Sequence, residues 1–187
     1  MLHQELIELA RAILGVLLLV LGISLPGSAP LATQPPVVTQ EAAVVASSTL
    51  YRVTKVVDGD TIHIDMQGTS ETVRLIGINT PETVDPRRPV QCFGKEASNK
   101  AKELLEGQKV RVETEASQGE RDKYGRLLGY VTREDGLFFN QYMVEEGYAY
   151  EYTYRVPYKY QSQFKAAQKA AQTDGKGLWA PGVCEDK

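Results

Sequence analysis

Between Tyr51 and Met66 apolar and polar residues alternate in two short runs separated by Asp58-Gly59, and a third run follows from Glu71 to Ile76. A side-chain period of two reads as a half-buried strand, and Asp-Gly between two such runs reads as a tight turn. Tyr51 to Val57 (YRVTKVV), Thr61 to Met66 (TIHIDM) and Glu71 to Ile76 (ETVRLI) are therefore predicted strands, with Gln67 to Ser70 as the second turn. Ile62, Ile64, Val73 and Leu75 point to one interior, while His63 and Asp65 point out.

The rest of the chain mixes helices into this β framework. Thr80 to Gln91 is a loop restricted by Pro81, Pro86 and Pro89. Lys95 to Glu106 is a predicted helix with Ala97, Ala101, Leu104 and Leu105 on one face and Gly107 at the left-handed C-cap position. Lys109 to Thr114 and Leu127 to Thr132 read as strands four and five. Asn140 to Glu146 is a short helix closed by Gly147. Pro157 to about Gln172 is a longer one, with Pro157 in its first turn and Tyr160, Phe164, Ala167 and Ala171 inward. The predicted class is α+β, mainly β: a five-stranded barrel with three helices outside. The OB-fold is the natural candidate, since it removes its strand edges by closure and presents one face to oligonucleotides.

Ahead of the barrel, Ala12 to Leu25 is a 14-residue run without charge. A spanning helix wants about 20 apolar residues, so the run fits the core of a signal peptide, although Glu5 and Glu8 weaken the basic flank supplied by Arg11. Release and membrane attachment through residues 12–25 both stay open; either way the protein is expected outside the cytoplasm. Residues 26–49, rich in Pro, Ala, Thr, Val and Ser, read as a flexible linker. Residues 50–182 form the domain and 183–187 a tail.

Net charge is −3 for 187 residues. The first 48 hold Arg11 against Glu5, Glu8 and Glu41, so the remainder carries 20 basic and 21 acidic residues. That balance excludes binding to a polyanion by global charge; local basic clusters and a bound cation would have to do it. Cys92 and Cys184 are too few for a disulfide framework or a thiolate zinc site. One disulfide from a loop to the tail and two separate thiols both remain open.

The chemistry-bearing residues gather at one end of the predicted hairpins. Asp60 opens strand two and Asn79 follows strand three, so their oxygens can converge, with a backbone carbonyl near Thr80, on a hard cation. Asp58-Gly59-Asp60 alone is an ordinary hairpin turn; Thr80-Pro81-Glu82 at the same end gives it more meaning. Arg74 points away from the Val73 and Leu75 face, and a bulge decides whether it meets Asp60. Glu82, stiffened by Pro81, could align or deprotonate a water. Asp122-Lys123-Tyr124-Gly125-Arg126 adds a guanidinium able to grip phosphate in a fork and a phenol able to donate; by itself it is a polar turn. The tyrosines from Tyr148 to Tyr160 suit base stacking and packing alike, with packing taking the larger share. Trp179 is expected to anchor the C-terminal segment.

From about Tyr51 to Trp179 the chain resembles the staphylococcal nuclease (thermonuclease) family. The likeness rests on Val57-Asp58-Gly59-Asp60-Thr61, Arg74-Leu75, Asn79-Thr80-Pro81-Glu82, Gly94-Lys95-Glu96-Ala97, Asp122-Lys123-Tyr124-Gly125-Arg126 and Gly177-Leu178-Trp179. The resemblance implies an OB barrel with three helices and a Ca2+-dependent nuclease, acting as a monomer on DNA and RNA with little sequence preference and leaving 3′-phosphates. It implies Asp60, Asn79 and Thr80 as metal ligands, Asp58 as an outer acid, and Arg74, Glu82 and Arg126 as catalytic residues. Lys123, Tyr124, Tyr152 and Tyr154 become substrate contacts, the last two in a slipped register. Asn79 stands where the family usually has a second aspartate, so one ligand charge is missing and weaker calcium binding is expected. A non-catalytic nucleic-acid- or protein-binding module is the alternative, and a tethered surface domain a third.

Overall fold

The computed structural model describes residues 49–87 and 89–184. The hydrophobic run, nearly all of the linker and the last three residues lie outside that range.

Five strands close into a barrel in the order β1-β2-β3-β6-β5. They are β1 (Tyr51–Val56), β2 (Thr61–Met66), β3 (Thr69–Leu75), β5 (Lys109–Glu113) and β6 (Leu127–Arg133). β1 to β3 form an antiparallel meander, β3 runs parallel to β6, and β5 returns to β1. This is the OB-like α+β fold expected. The alternating residues supply its interior: Val53, Val56, Ile62, Ile64, Val73, Leu75, Val110 and Val131 are all nearly inaccessible to solvent. Burying such aliphatic side chains contributes about 1.5–3 kcal/mol each. A bulge between Val53 and Lys55 shifts the β1–β2 register.

Three helices pack outside: α1 (Gly94–Leu105), α2 (Phe139–Glu145) and α3 (Gln161–Thr173). α1 buries Ala97, Ala101 and Leu105, with Leu104 only partly covered, and ends at Gly107 with φ 76°. α3 starts later than the pattern predicts, so Pro157 lies ahead of it rather than in its first turn. The side chain of Glu115 accepts the Lys159 N–H, and Tyr158 is buried in the core, which holds residues 157–160 in a turn. Asn140 in α2 is fully buried; it accepts the Val131 N–H at 2.8 Å and donates to the Ile76 carbonyl at 2.9 Å, tying β6 to the end of β3.

Two further strands escape sequence reading. β4 (Ile78–Asn79) and β7 (Tyr150–Glu151) pair antiparallel, with Asn79 opposite Tyr150. Two residues are too short to display a period. The expected anchoring by Trp179 is shared: Leu178 is buried, and the Trp179 ring meets Tyr150 edge-on at 5.3 Å. Cys92 and Cys184 form a disulfide, which resolves the alternative left open above. Among the described residues no helix is long and apolar enough to cross a membrane.

Candidate active site

The turn between β1 and β2 sets the site. Val57 and Asp58 both direct their N–H groups to the Thr61 carbonyl, and the Asp58 side chain accepts the Asp60 N–H at 3.1 Å. Gly59 lets Thr80 come close; a Cβ there would lie 2.5 Å from the Thr80 methyl. Thr80 then donates its N–H to Asp60 Oδ2 at 2.9 Å, with its hydroxyl at 3.3 Å from the same oxygen. Asp60 and Thr80 are each 6% exposed. A carboxylate this buried needs partners, and it has several.

Arg74 is one of them. It pairs with Thr61 across β2–β3 at the barrel end where Asp60 lies, and its ion pair with Asp60 answers whether the two meet. Its Nη2 lies 3.2 Å from Asp60 Oδ2 and 3.2 Å from Asn79 Oδ1. Its Nη1 donates to the carbonyls of Leu75 and Ile78. The guanidinium is thus pinned at the barrel end between an acid, an amide and two backbone oxygens.

Arg126 arrives from the other side. Asp122, four residues earlier, takes its Nε–H at 2.7 Å and caps the turn by accepting the N–H groups of Tyr124 and Arg126. Arg126 Nη1 reaches the Thr61 hydroxyl at 3.5 Å, and that hydroxyl donates to Asp60 Oδ1 at 3.0 Å. Arg74 therefore contacts one oxygen of the Asp60 carboxylate directly, and Arg126, itself paired with Asp122, is linked to the other through the Thr61 hydroxyl. Lys123 Nζ and the Arg126 guanidinium sit 4.9 and 5.4 Å from the Tyr124 ring centre. Tyr124 is 71% exposed.

Glu82 lies on the loop after β4. Its Oε1 accepts the N–H groups of Thr83, Val84 and Asp85 at 2.7 to 3.1 Å, so the carboxylate is oriented by its own loop. Burial pushes the Asp58 carboxyl up to about 6, helped by the Asp60 and Glu82 charges and opposed by Arg74. Among the described residues the hydrogen bonds of Glu82 stay within its own loop, and none reaches Asp60, Arg74 or Arg126.

Asp58, Asp60, Arg74, Asn79, Thr80 and Arg126 are joined by direct contacts or short bridges. Tyr152 and Tyr154 are not joined to them by any hydrogen bond among the described residues; they follow β7, are 42% and 61% exposed, and face each other at 6.4 Å. Of the other tyrosines, Tyr158 and Tyr160 pack on the core, as expected. Thr61, which bridges Asp60 to Arg126, carries a role that sequence reading missed. Its place directly after Asp60 is the signal that could have found it. Asp122, quoted in the motif but given no role, is the group that orients Arg126.

Among the described residues no three acidic, histidine or cysteine side chains form a metal cluster. Asp60 Oδ2 and Asn79 Oδ1 instead meet one Arg74 nitrogen, 3.2 Å from each, and with the carbonyl of the next residue, Thr80, they are hard-oxygen donors of the kind calcium takes.

The family model described as "Staphylococcal nuclease homologue" matches residues 72–181, more than half of the chain. The chain belongs to the staphylococcal nuclease family. This family member is 45% identical over 135 residues to the thermonuclease of Staphylococcus hyicus, covering 72% of this chain and 78% of that protein. It is 45% identical over 129 residues to the thermonuclease of Staphylococcus intermedius, covering 69% and 75%. It is 38% identical over 127 residues to endonuclease YncB of Bacillus subtilis (strain 168), covering 67% and 59%. Asp58 and Asp60 fall ahead of the segment that the nuclease family model matches; bonds from Thr80 and Arg74 join Asp60 to it, and Asp58 holds the Asp60 N–H.

Proposed function

We propose that this nuclease is a calcium-dependent phosphodiesterase that cuts DNA and RNA with little sequence preference and leaves 3′-phosphates. The observation that carries the reading is the convergence of Arg74 and Arg126 on the two sides of Asp60. Two guanidiniums beside a cation-binding carboxylate form the electrostatic frame that a pentacoordinate phosphorus requires.

Arg74 and Arg126 would hold the non-bridging oxygens of the scissile phosphate and compensate the charge that builds on them. Glu82 would align or deprotonate the attacking water, with its loop fixing the carboxylate in advance. Asp60, Asn79 and the Thr80 carbonyl would hold calcium, which when bound supplies positive charge at the phosphate; Asp58 would sit outside them. Lys123 and Tyr124 would grip a neighbouring phosphate, and Tyr152 and Tyr154 would contact the substrate beyond it. The 5′ oxygen leaves.

Export is part of the proposal, supported by the apolar run 12–25 and by the disulfide, which belongs to an oxidising compartment. The protein would act as a monomer, either released or held at the outer side of the cytoplasmic membrane. Asn79, with one charge fewer than aspartate, is the one observation favouring a non-catalytic binding module. Incubating DNA or RNA with the protein in millimolar calcium, then with chelator, separates the two. Cleavage that stops on chelation supports the enzyme, and a gel shift without cleavage at any calcium level supports the module.

A further inference from the structure

The loop from Thr80 to Phe93, between β4 and α1, shows no helix or strand among its described residues and carries Glu82. Loops of this length are seldom self-supporting and are usually functional. Besides the three N–H groups on Glu82 Oε1, two bonds between Glu82 and Gln91 hold this one across its width. Gln91 Oε1 accepts the Glu82 N–H at 2.8 Å, and the Gln91 N–H returns to the Glu82 carbonyl at 2.9 Å. Gln91 is solvent-exposed, so water competes for both bonds. The next residue is Cys92. Two residues further on, α1 begins at Gly94, where a Cβ would lie 2.7 Å from the Thr83 methyl and 3.0 Å from the Pro81 carbonyl. Cys92 therefore sits between the two places where the chain touches the backbone around Glu82.

Its partner lies in the C-terminal segment. Cys184 follows the turn Gly177–Trp179, where Leu178 donates its N–H to the Gly147 carbonyl at 2.9 Å and Trp179 packs on Tyr150. Tyr150 pairs with Asn79 across β4 and β7. A closed path thus runs from Asn79 through Tyr150, Trp179 and the disulfide to Gln91 and Glu82. Both ends of the loop are referred to the same two-stranded sheet, and the disulfide is its single covalent cross-link.

We propose that the Cys92–Cys184 disulfide is a positioning element for Glu82, so that activity depends on the oxidised state. This rests on the role given to Glu82 above. A dithiol passes two electrons and two protons to the two sulfurs, yielding two thiols while it closes to its own cyclic disulfide. The loop keeps its own hydrogen bonds, the three N–H groups on Glu82 Oε1 included, but loses the covalent link that holds it through Gln91 against the C-terminal segment, so the oriented carboxylate shifts together with its loop.

The full chain is assayed on DNA in calcium, oxidised and after dithiothreitol, with thiols counted by a thiol-reactive dye and the fold followed by circular dichroism. Expected is a fall in kcat of about ten- to a hundredfold, the scale of an ångström-sized misplacement. KM stays within about twofold and the rate returns on reoxidation. In Glu82→Gln the same reduction should change nothing more. An unchanged kcat in folded, fully reduced protein overturns the proposal, as does an equal further loss in Glu82→Gln. A Glu82→Gln protein with the parent rate overturns the role of Glu82 itself, and with it this proposal. Inserting two glycines between Gly182 and Val183 keeps the bond but slackens it, and serves if reduction unfolds the barrel. That variant should lose kcat in the same way, and a parent-like kcat in it contradicts the proposal.

Discussion

Asp58 has its carboxyl pushed from 3.8 to about 6 in the folded protein, first by burial and then by Asp60. The folded state binds this proton more tightly than the unfolded one, so the associated stability is present below about pH 4 and lost as pH rises through about 6. Asp58→Asn is therefore expected to raise the melting temperature of the calcium-free protein at pH 7. The gain should vanish below about pH 4, which a pair of melting curves against pH checks. Asn79 shares Arg74 with Asp60, and its oxygen is neutral. Asn79→Asp should lower the calcium needed for half-maximal cleavage. An unchanged or higher requirement removes Asn79 from the ligand set. Glu82→Gln and Arg126→Ala should each lose orders of magnitude in rate with the fold intact by circular dichroism, and near-normal rates would move the chemistry elsewhere. At this scale the sequence displays the residue types and their order along the chain. It conceals the bridge through Thr61, which depends on a contact between distant segments, and the local bonds that aim Glu82, because no hydrophobic period marks a loop that folds back onto its own side chain.

The barrel strands are legible because each lines one interior face: burial alternates in β2, the end of β3 and β5, while the bulge in β1 sets Val53 and Val56 three residues apart and β6 buries Gly129, Tyr130 and Val131 in a row. α1 and α2 are legible from their apolar faces and the glycines that end them. The opening of α3 is not, since Glu115 and the buried Tyr158 hold residues 157–160 in a turn that local propensity does not favour. Neither is the β4–β7 ribbon, where tertiary pairing creates two-residue strands around Asn79. Asn140 gives the element scale its test. Asn140→Leu would leave the Val131 N–H and the Ile76 carbonyl buried without partners, at a cost on the order of 2–4 kcal/mol. Urea unfolding measures this directly, and a loss below about 1 kcal/mol would mean that water or a shifted backbone replaces the amide.

For the molecule as a whole, the barrel, the Glu82 loop and the C-terminal segment are made one unit by a cross-link spanning 92 residues. Closing so long a loop restricts the unfolded chain, and its removal is expected to cost about 2–4 kcal/mol, seen as a lower melting temperature in dithiothreitol. An unchanged melting temperature would show that the tail contributes nothing to global stability. Two cysteines at such a distance left their pairing undecided in the sequence; only the folded path past Trp179 and Tyr150 brings them together. The same holds for the active end of the barrel, where residues from Asp58 to Arg126 meet across a parallel β3–β6 contact. The most direct measurement is the rate of phosphodiester cleavage of DNA by the purified protein in millimolar calcium, beside the same protein in chelator and Glu82→Gln in calcium. The convergence around Asp60 predicts rapid cleavage in the first and nearly none in the other two. A folded protein that leaves DNA intact in calcium, or one that cuts equally well in all three, contradicts it.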